Sequence, residues 1–180
     1  PNDPYWGNLW GLHQASDIDI DAPETWDVAR GGTNVVVAVI DTGLDPNHVD
    51  LAQNVWRNPG EIAGNGLDDD GNGLTNDVYG WDFYNWDDDP FDDHSHGTHC
   101  SGTIGAVGNN GTGVVGVNWR VKIMALKFLR ADGYGFDSDA VMAVYYAAWV
   151  QNRDGNVRLT SNSWGGGDYV QSLYDAIKSS

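Results

Sequence analysis

Val35-Val36-Val37-Ala38-Val39-Ile40-Asp41-Thr42-Gly43 decides the fold. Val35–Ile40 is a continuous apolar run of mostly β-branched residues. Such a run is expected of a strand covered on both faces, which places it inside a parallel sheet with helices above and below. Thr42-Gly43 then makes a tight exit and leaves Asp41 at the carboxyl end of the strand. In open α/β sheets, chemistry collects outside those carboxyl ends. Asp41 is therefore a candidate functional carboxylate, with a plain turn cap as the ordinary alternative.

Outward from this strand, Val121–Leu126 and Val157–Thr160 read as further strands. His96–Val107, Ser138–Val150 and Val170–Ile177 read as helices, with Asp137 or Ser138 as the N-cap of the second. The alternation predicts an α/β fold: a doubly wound, mostly parallel sheet with helices on both faces. A chain of 180 residues suits one domain with a real core, here residues 1–180. No internal repeat interrupts it. Residues 57–95 form a Gly/Asp/Asn-rich excursion that reads as neither strand nor helix. Connections this long are usually functional or ordered by a ligand.

His96-Gly97-Thr98-His99-Cys100-Ser101-Gly102 is the second informative stretch. It starts a helix with an imidazole and continues with little side-chain bulk, which suits close packing beneath a strand. An imidazole base paired with an orienting carboxylate is the core of a serine hydrolase. On spacing alone a zinc hydrolase using His94, His96 and His99 is an equal reading, since imidazole clusters bind zinc.

Composition narrows the partners. There are 26 acidic residues against 9 basic, a formal net charge of −17, which excludes phosphate-backbone binding through clustered Lys and Arg. The apolar runs are too short to span a membrane. Nine tryptophans favour a packed globule over an acidic tail. The single Cys100 excludes an internal disulfide framework. The acids cluster at Asp68–Asp70, Asp87–Asp89 and Asp92–Asp93, where they repel one another unless cations sit among them. Asp68-Asp69-Asp70-Gly71-Asn72-Gly73 carries oxygens at alternate positions before a glycine, like the start of a calcium loop. Asp68, Asp70 and Asn72 are its candidate ligands, although Tyr79 stands where a bidentate Glu would close an EF-hand.

Taken together, Asp41-Thr42-Gly43 and His96–Thr103 resemble the Asp and His blocks of the subtilisin-like serine protease family, in its thermitase-like branch. Pro1–Tyr5, Ala22–Asp27, Trp81-Asp82-Phe83, Val107–Val117 and Ser163-Trp164-Gly165-Gly166 are similar to further blocks of that family in the same order. The resemblance implies a serine endopeptidase with Asp41 and His96 as catalytic residues and His99 as a structural helix residue. Cys100 resembles a cysteine near the base that is not the nucleophile. An extended peptide would add a strand between Gly133-Tyr134-Gly135 and Ser163-Trp164-Gly165, where glycines admit close backbone approach; either block alone reads as an ordinary turn.

The resemblance also implies two further calcium sites. One would use Asp82, Asn85, Asp87 and Asp89. The other would combine Asp3, Asp50 and Asn110 with the carbonyls of Val107, Thr112 and Val114. Calcium is the expected cofactor, and a start like a mature enzyme implies a secreted, extracellular protein. The nucleophile block is missing: Gly-Thr precedes Asn34, His99, Ile104 and Gly113, never serine. The chain therefore reads as the N-terminal portion of a peptidase domain, inactive alone, whose partner besides a protein or peptide substrate is a complementary C-terminal polypeptide with the serine. A non-catalytic calcium-binding module is the competing reading.

Overall fold

The computed structural model describes residues 1–180. Four strands form one parallel sheet: β1 Gly31–Asp41, β2 Gly80–Asp82, β3 Arg120–Lys127 and β4 Val157–Ser161, in the order β2-β3-β1-β4. The helices are α1 Ala22–Val28, α2 His96–Gly105, α3 Asp137–Asp154 and α4 Gln171–Ser179. The three expected strands and three expected helices are all present. The 57–95 excursion is not wholly irregular: it contains β2, whose Trp81-Asp82 backbone pairs with Leu126-Lys127. Three residues carry too little periodicity to be read as a strand, and only the neighbouring strand defines it.

The strand period of two sorts the core. Val36, Ala38, Ile40, Met124 and Leu126 face α3, meeting Ala140, Ala143, Val144, Ala147 and Val150. Val37, Val39, Val121, Ile123 and Ala125 face the other way, toward Leu51, Val55 and Ile104 of α2. Each fully buried Val or Ile contributes about 1.5–3 kcal/mol by leaving water, which is why β1 tolerates no polar residue between Val35 and Ile40. A smaller cluster around Trp26, Ala22 and Val115 fastens the N-terminal segment, with the Trp26 indole donating to the Val117 carbonyl at 2.8 Å.

One local expectation is corrected. Helix α3 starts at Asp137 behind Phe136, so neither Asp137 nor Ser138 caps it; Asp137 and Asp139 instead place negative charge in the first turn, where the helix dipole favours it. At its other end Gly155 takes φ 70°, the left-handed conformation that glycine adopts without a Cβ penalty. Helix α4 packs beside α3, with Ala176 fully buried and Leu173 against the α3-side core.

Candidate active site

The sheet register sets the site. Asp41 pairs with Lys127, which pairs in turn with Asp82, so three strands end at one level. Asp41 and Lys127 continue the face that carries Val39 and Ala125, the face covered by α2. Helix α2 comes close because it lacks bulk. A Cβ on Gly97 would stand 2.2 Å from the Gly43 carbonyl oxygen, and one on Gly105 would collide with Val121. Gly102 is different: nothing lies within 4 Å of it, so not every small residue of the helix serves packing.

This approach puts His96 Nδ1 2.7 Å from Asp41 Oδ1. The Asp41 residue is 1% exposed and the His96 side chain 42% exposed. Asp41 Oδ1 also accepts the Thr42 amide at 2.7 Å, which fixes the carboxylate rotamer. Asp41 Oδ2 is buried without a partner. With Nδ1–H committed to a carboxylate, Nε2 is the nitrogen left to take a proton from a hydroxyl on the solvent side.

The start of α2 is held by a residue that the sequence places only in an acidic cluster. Ser95 sits at the cap position with φ 84° and makes no side-chain cap bond. Asp92 does that work instead. Its Oδ1 accepts the amides of His94 and Ser95 and the Thr42 hydroxyl, and its Oδ2 accepts the Thr98 amide at 2.8 Å. Burial pushes the Asp92 carboxyl up, but hydrogen bonds from Thr98, His94 and Thr42 outweigh it and hold it below the ordinary range. The Thr42 hydroxyl in turn accepts the Gly97 amide at 2.8 Å. No sequence signal separates the two, since serine is itself a favoured N-cap residue.

The zinc reading is overturned. The groups of acid, imidazole or thiol side chains able to share an ion are Asp41, His96, Cys100 and Glu61, Asp70, Asp77; the three histidines form none. His94 precedes the helix, and the ring nitrogens of the three do not come together. His99 is also exposed rather than turned into protein, and lines a cavity of about 920 Å³ with Leu9, Trp10, Leu51 and Phe91. Cys100 Sγ lies 3.8 Å from His96 Nδ1 and 3.9 Å from Nε2. Burial pushes its thiol up, opposed by a hydrogen bond with Ser163 and reinforced by the charges of Asp41 and Asp92. A raised thiol is a poor nucleophile at neutral pH.

The two expected peptide edges lie close to this pair. Gly133, at φ 80°, sits against the His94 ring, and a Cβ there would be 3.4 Å from His94 Nε2. Tyr134 is exposed, and Gly135 leaves no room for a Cβ beside the Phe128 carbonyl. Trp164 packs edge-on to Phe128 at 4.8 Å and donates to the Ile40 carbonyl, which draws Ser163-Trp164-Gly165 toward the same end of the sheet.

The acidic segments differ in how well they would suit a cation. Glu61, Asp70 and Asp77 bring one carboxylate oxygen each within 4.8 Å of one another, and Asp77 is buried. Burial pushes Asp77 up to about 6, against hydrogen bonds from Tyr146, Asn72 and Asn58, with Asp70 adding to the rise. Asp68 is not part of this group: it accepts the amides of Gly71, Asn72 and Gly73. Asn72 donates to Asp77, and Asp70 accepts Asn58 and Arg153. Glu61 and Asp77 were missed because they flank the motif. Asp3 and Asp50 are buried and meet through Asn110, whose amide donates to Asp3 and whose side chain donates to Asp50. Val107 and Val114 bond to Asp50 through their amides, and the Thr112 amide to Asn110. Two buried carboxylates joined through an amide fit a hard, oxygen-seeking ion. Asp82, Asn85, Asp87 and Asp89 mostly bond within their own turns and bring no such cluster together.

A profile of the subtilase family matches residues 32–180. Subtilisin-like protease 1 of Plasmodium falciparum is 49% identical over 148 residues, covering 81% of this chain and 21% of that protein. Its Plasmodium vivax namesake is 43% identical over 81% of this chain and 23% of that protein. Thermitase of Thermoactinomyces vulgaris is 34% identical over 92% of this chain and 48% of that protein. The chain thus spans under a quarter of the Plasmodium proteins' length and about half of thermitase's.

Proposed function

The chain belongs to the subtilase family, and we propose that it supplies the base and the orienting carboxylate of a serine endopeptidase. The observation that carries the proposal is the 2.7 Å contact between half-exposed His96 and buried Asp41 at the carboxyl end of the sheet. His96 takes the proton of a serine hydroxyl at Nε2 and later returns it to the leaving amine. Asp41 holds the tautomer and stabilises the imidazolium. An extended peptide lies between Gly133-Tyr134-Gly135 and Ser163-Trp164-Gly165.

The serine belongs to polypeptide outside residues 1–180, since no Gly-Thr-Ser block occurs within them. The exposed edge strand β4 and the cavity beside α2 are surfaces such a segment would cover. These residues alone lack the nucleophile and oxyanion donors and do not hydrolyse peptides. Calcium is held by Asp3, Asp50 and Asn110, and by Glu61, Asp70 and Asp77; it supports the loops and takes no part in the chemistry. The protein is secreted, in keeping with similarity to an extracellular basic protease of Dichelobacter nodosus; no helix is long and apolar enough to cross a membrane.

The test is labelling of the intact protein with a fluorophosphonate. A labelled serine outside residues 1–180, with labelling lost in His96→Ala, is the expected result. Absent labelling in a folded protein that still binds calcium would leave a non-catalytic calcium module, and labelling of Ser101 or Ser163 would overturn the assignment of the missing serine.

A further inference from the structure

Lys127 is 1% exposed, and neither the base nor the carboxylate role requires it. Its ammonium has three N–H donors and meets three acceptors at 2.7 Å: the Thr42 carbonyl, the Leu129 carbonyl and Asp93 Oδ1. Those acceptors belong to different parts of the site. Thr42 follows the carboxylate Asp41. Asp93 lies in the loop that leads into His96. Leu129 opens the segment that runs to Gly133-Tyr134-Gly135. The Asp41 carbonyl closes the circuit by accepting the amides of Phe128 at 3.0 Å and Leu129 at 3.2 Å.

The origin of this arrangement is the sheet register. Lys127 pairs with Asp41 on the neighbouring strand, so its side chain leaves β3 on the α2 face, at the height of the functional carboxylate. A buried ammonium is costly to desolvate and is a poor device for stability alone. Here it is fully coordinated, and two of its acceptors are buried carbonyls that would otherwise lack a donor in this position.

We propose that Lys127 is a positioning residue that locks the Asp41 strand end, the His96 loop and the start of the peptide-binding edge into one frame. This rests on the endopeptidase reading. Without the ammonium, the Thr42 and Leu129 carbonyls turn toward water, the Asp41 carboxylate loses its fixed direction toward His96, and the Gly133 edge moves independently of the pair.

The test introduces Lys127→Met, Lys127→Arg and Asp93→Asn into the intact protein. It reads kcat and KM for a peptide, together with the far-downfield NMR proton resonance of His96 Nδ1–H bonded to Asp41. Lys127→Met is expected to lose about 100-fold in kcat, the size of effect a displacement near 1 Å produces, and to lose or broaden the resonance. Lys127→Arg keeps the charge in a planar fork that cannot reach three divergent acceptors, so it falls between. Asp93→Asn keeps an oxygen acceptor on the His96 loop but removes its charge, so it loses less than Lys127→Met. A folded Lys127→Met, or Lys127→Arg where the Met variant does not fold, with wild-type kcat and resonance overturns the inference, even if its melting temperature falls. Unchanged hydrolysis in Asp41→Asn overturns the endopeptidase reading instead, and the resonance alone then decides the role of Lys127.

Discussion

Strands β1 and β4 are hydrogen-bonded neighbours in one sheet, yet they live in different surroundings. From Val36 to Asp41 every residue of β1 is buried, between α3 on one face and α2 on the other. In β4 only Val157 is buried; Leu159 is 53% exposed although it pairs with fully packed Val37. The stretch after β4 remains exposed from Gly165 to Tyr169. Around Asp41 the chain is cross-linked by Asp92, Thr42 and Lys127, whereas around Ser163 the main anchor is the Trp164 indole on Ile40. The two strands share a ladder but not a covering. The difference teaches that burial along a parallel sheet is set by the helices laid over each strand, and not by strand pairing itself.

The largest expected effect breaks the covered strand. Asp41→Asn in the intact protein should cost about 10⁴-fold in kcat, because the wrong imidazole tautomer then faces the nucleophile; turnover kinetics check it, and the melting temperature should move little. Next is packing. Ile40→Ala should destabilise by about 2–5 kcal/mol, as a fully buried side chain leaves a cavity, while Leu159→Ala, over half exposed within residues 1–180, should cost less unless further polypeptide covers β4. Denaturant unfolding of the pair measures the contrast directly. A large loss at Leu159 would mean that β4 is covered in solution.

Calcium sharpens the comparison from the loop side. At a hundredfold excess over its dissociation constant, calcium should add about 2.7 kcal/mol to stability, visible as a fall in melting temperature on chelation. Asp77→Asn should reduce that effect more than Asp68→Asn, since only Asp77 belongs to the converging group. In chelator, Asp77 has the opposite dependence from an ordinary paired acid. Its folded value, about 6, lies above the unfolded 3.8, so its contribution is present at low pH and lost as pH rises through 6. The smallest effect concerns Asp92. Its folded carboxyl is depressed, so its contribution is present above the unfolded value and lost as pH falls through the folded one. An acid melt of Asp92→Asn should lack that step.

Much of the plan was legible in the residues. The Val35–Ile40 run announces a strand buried on both faces because five of its six apolar residues are β-branched, which suits a strand better than a helix. Asp41 was readable as a carboxylate that ends an apolar strand before Thr42-Gly43, and His96 as an imidazole that opens a helix of small residues. The sequence also singled out the acidic loop, but chose Asp68 where the cluster uses Glu61 and Asp77. Alternation along a loop cannot tell which carboxylates turn inward to a common point.

What the sequence by itself determined were the local elements: strand or helix, the side that is apolar, and which residues can carry a proton. Those follow from periodicity and side-chain chemistry within a few residues. Tertiary structure alone decided that Asp92 rather than Ser95 caps α2, that three histidines within six residues of one another never converge, and that Lys127 is buried among three site segments. Each of these depends on sheet register and on how closely α2 approaches β1. A parallel pairing between residues more than eighty positions apart leaves no trace in either segment by itself.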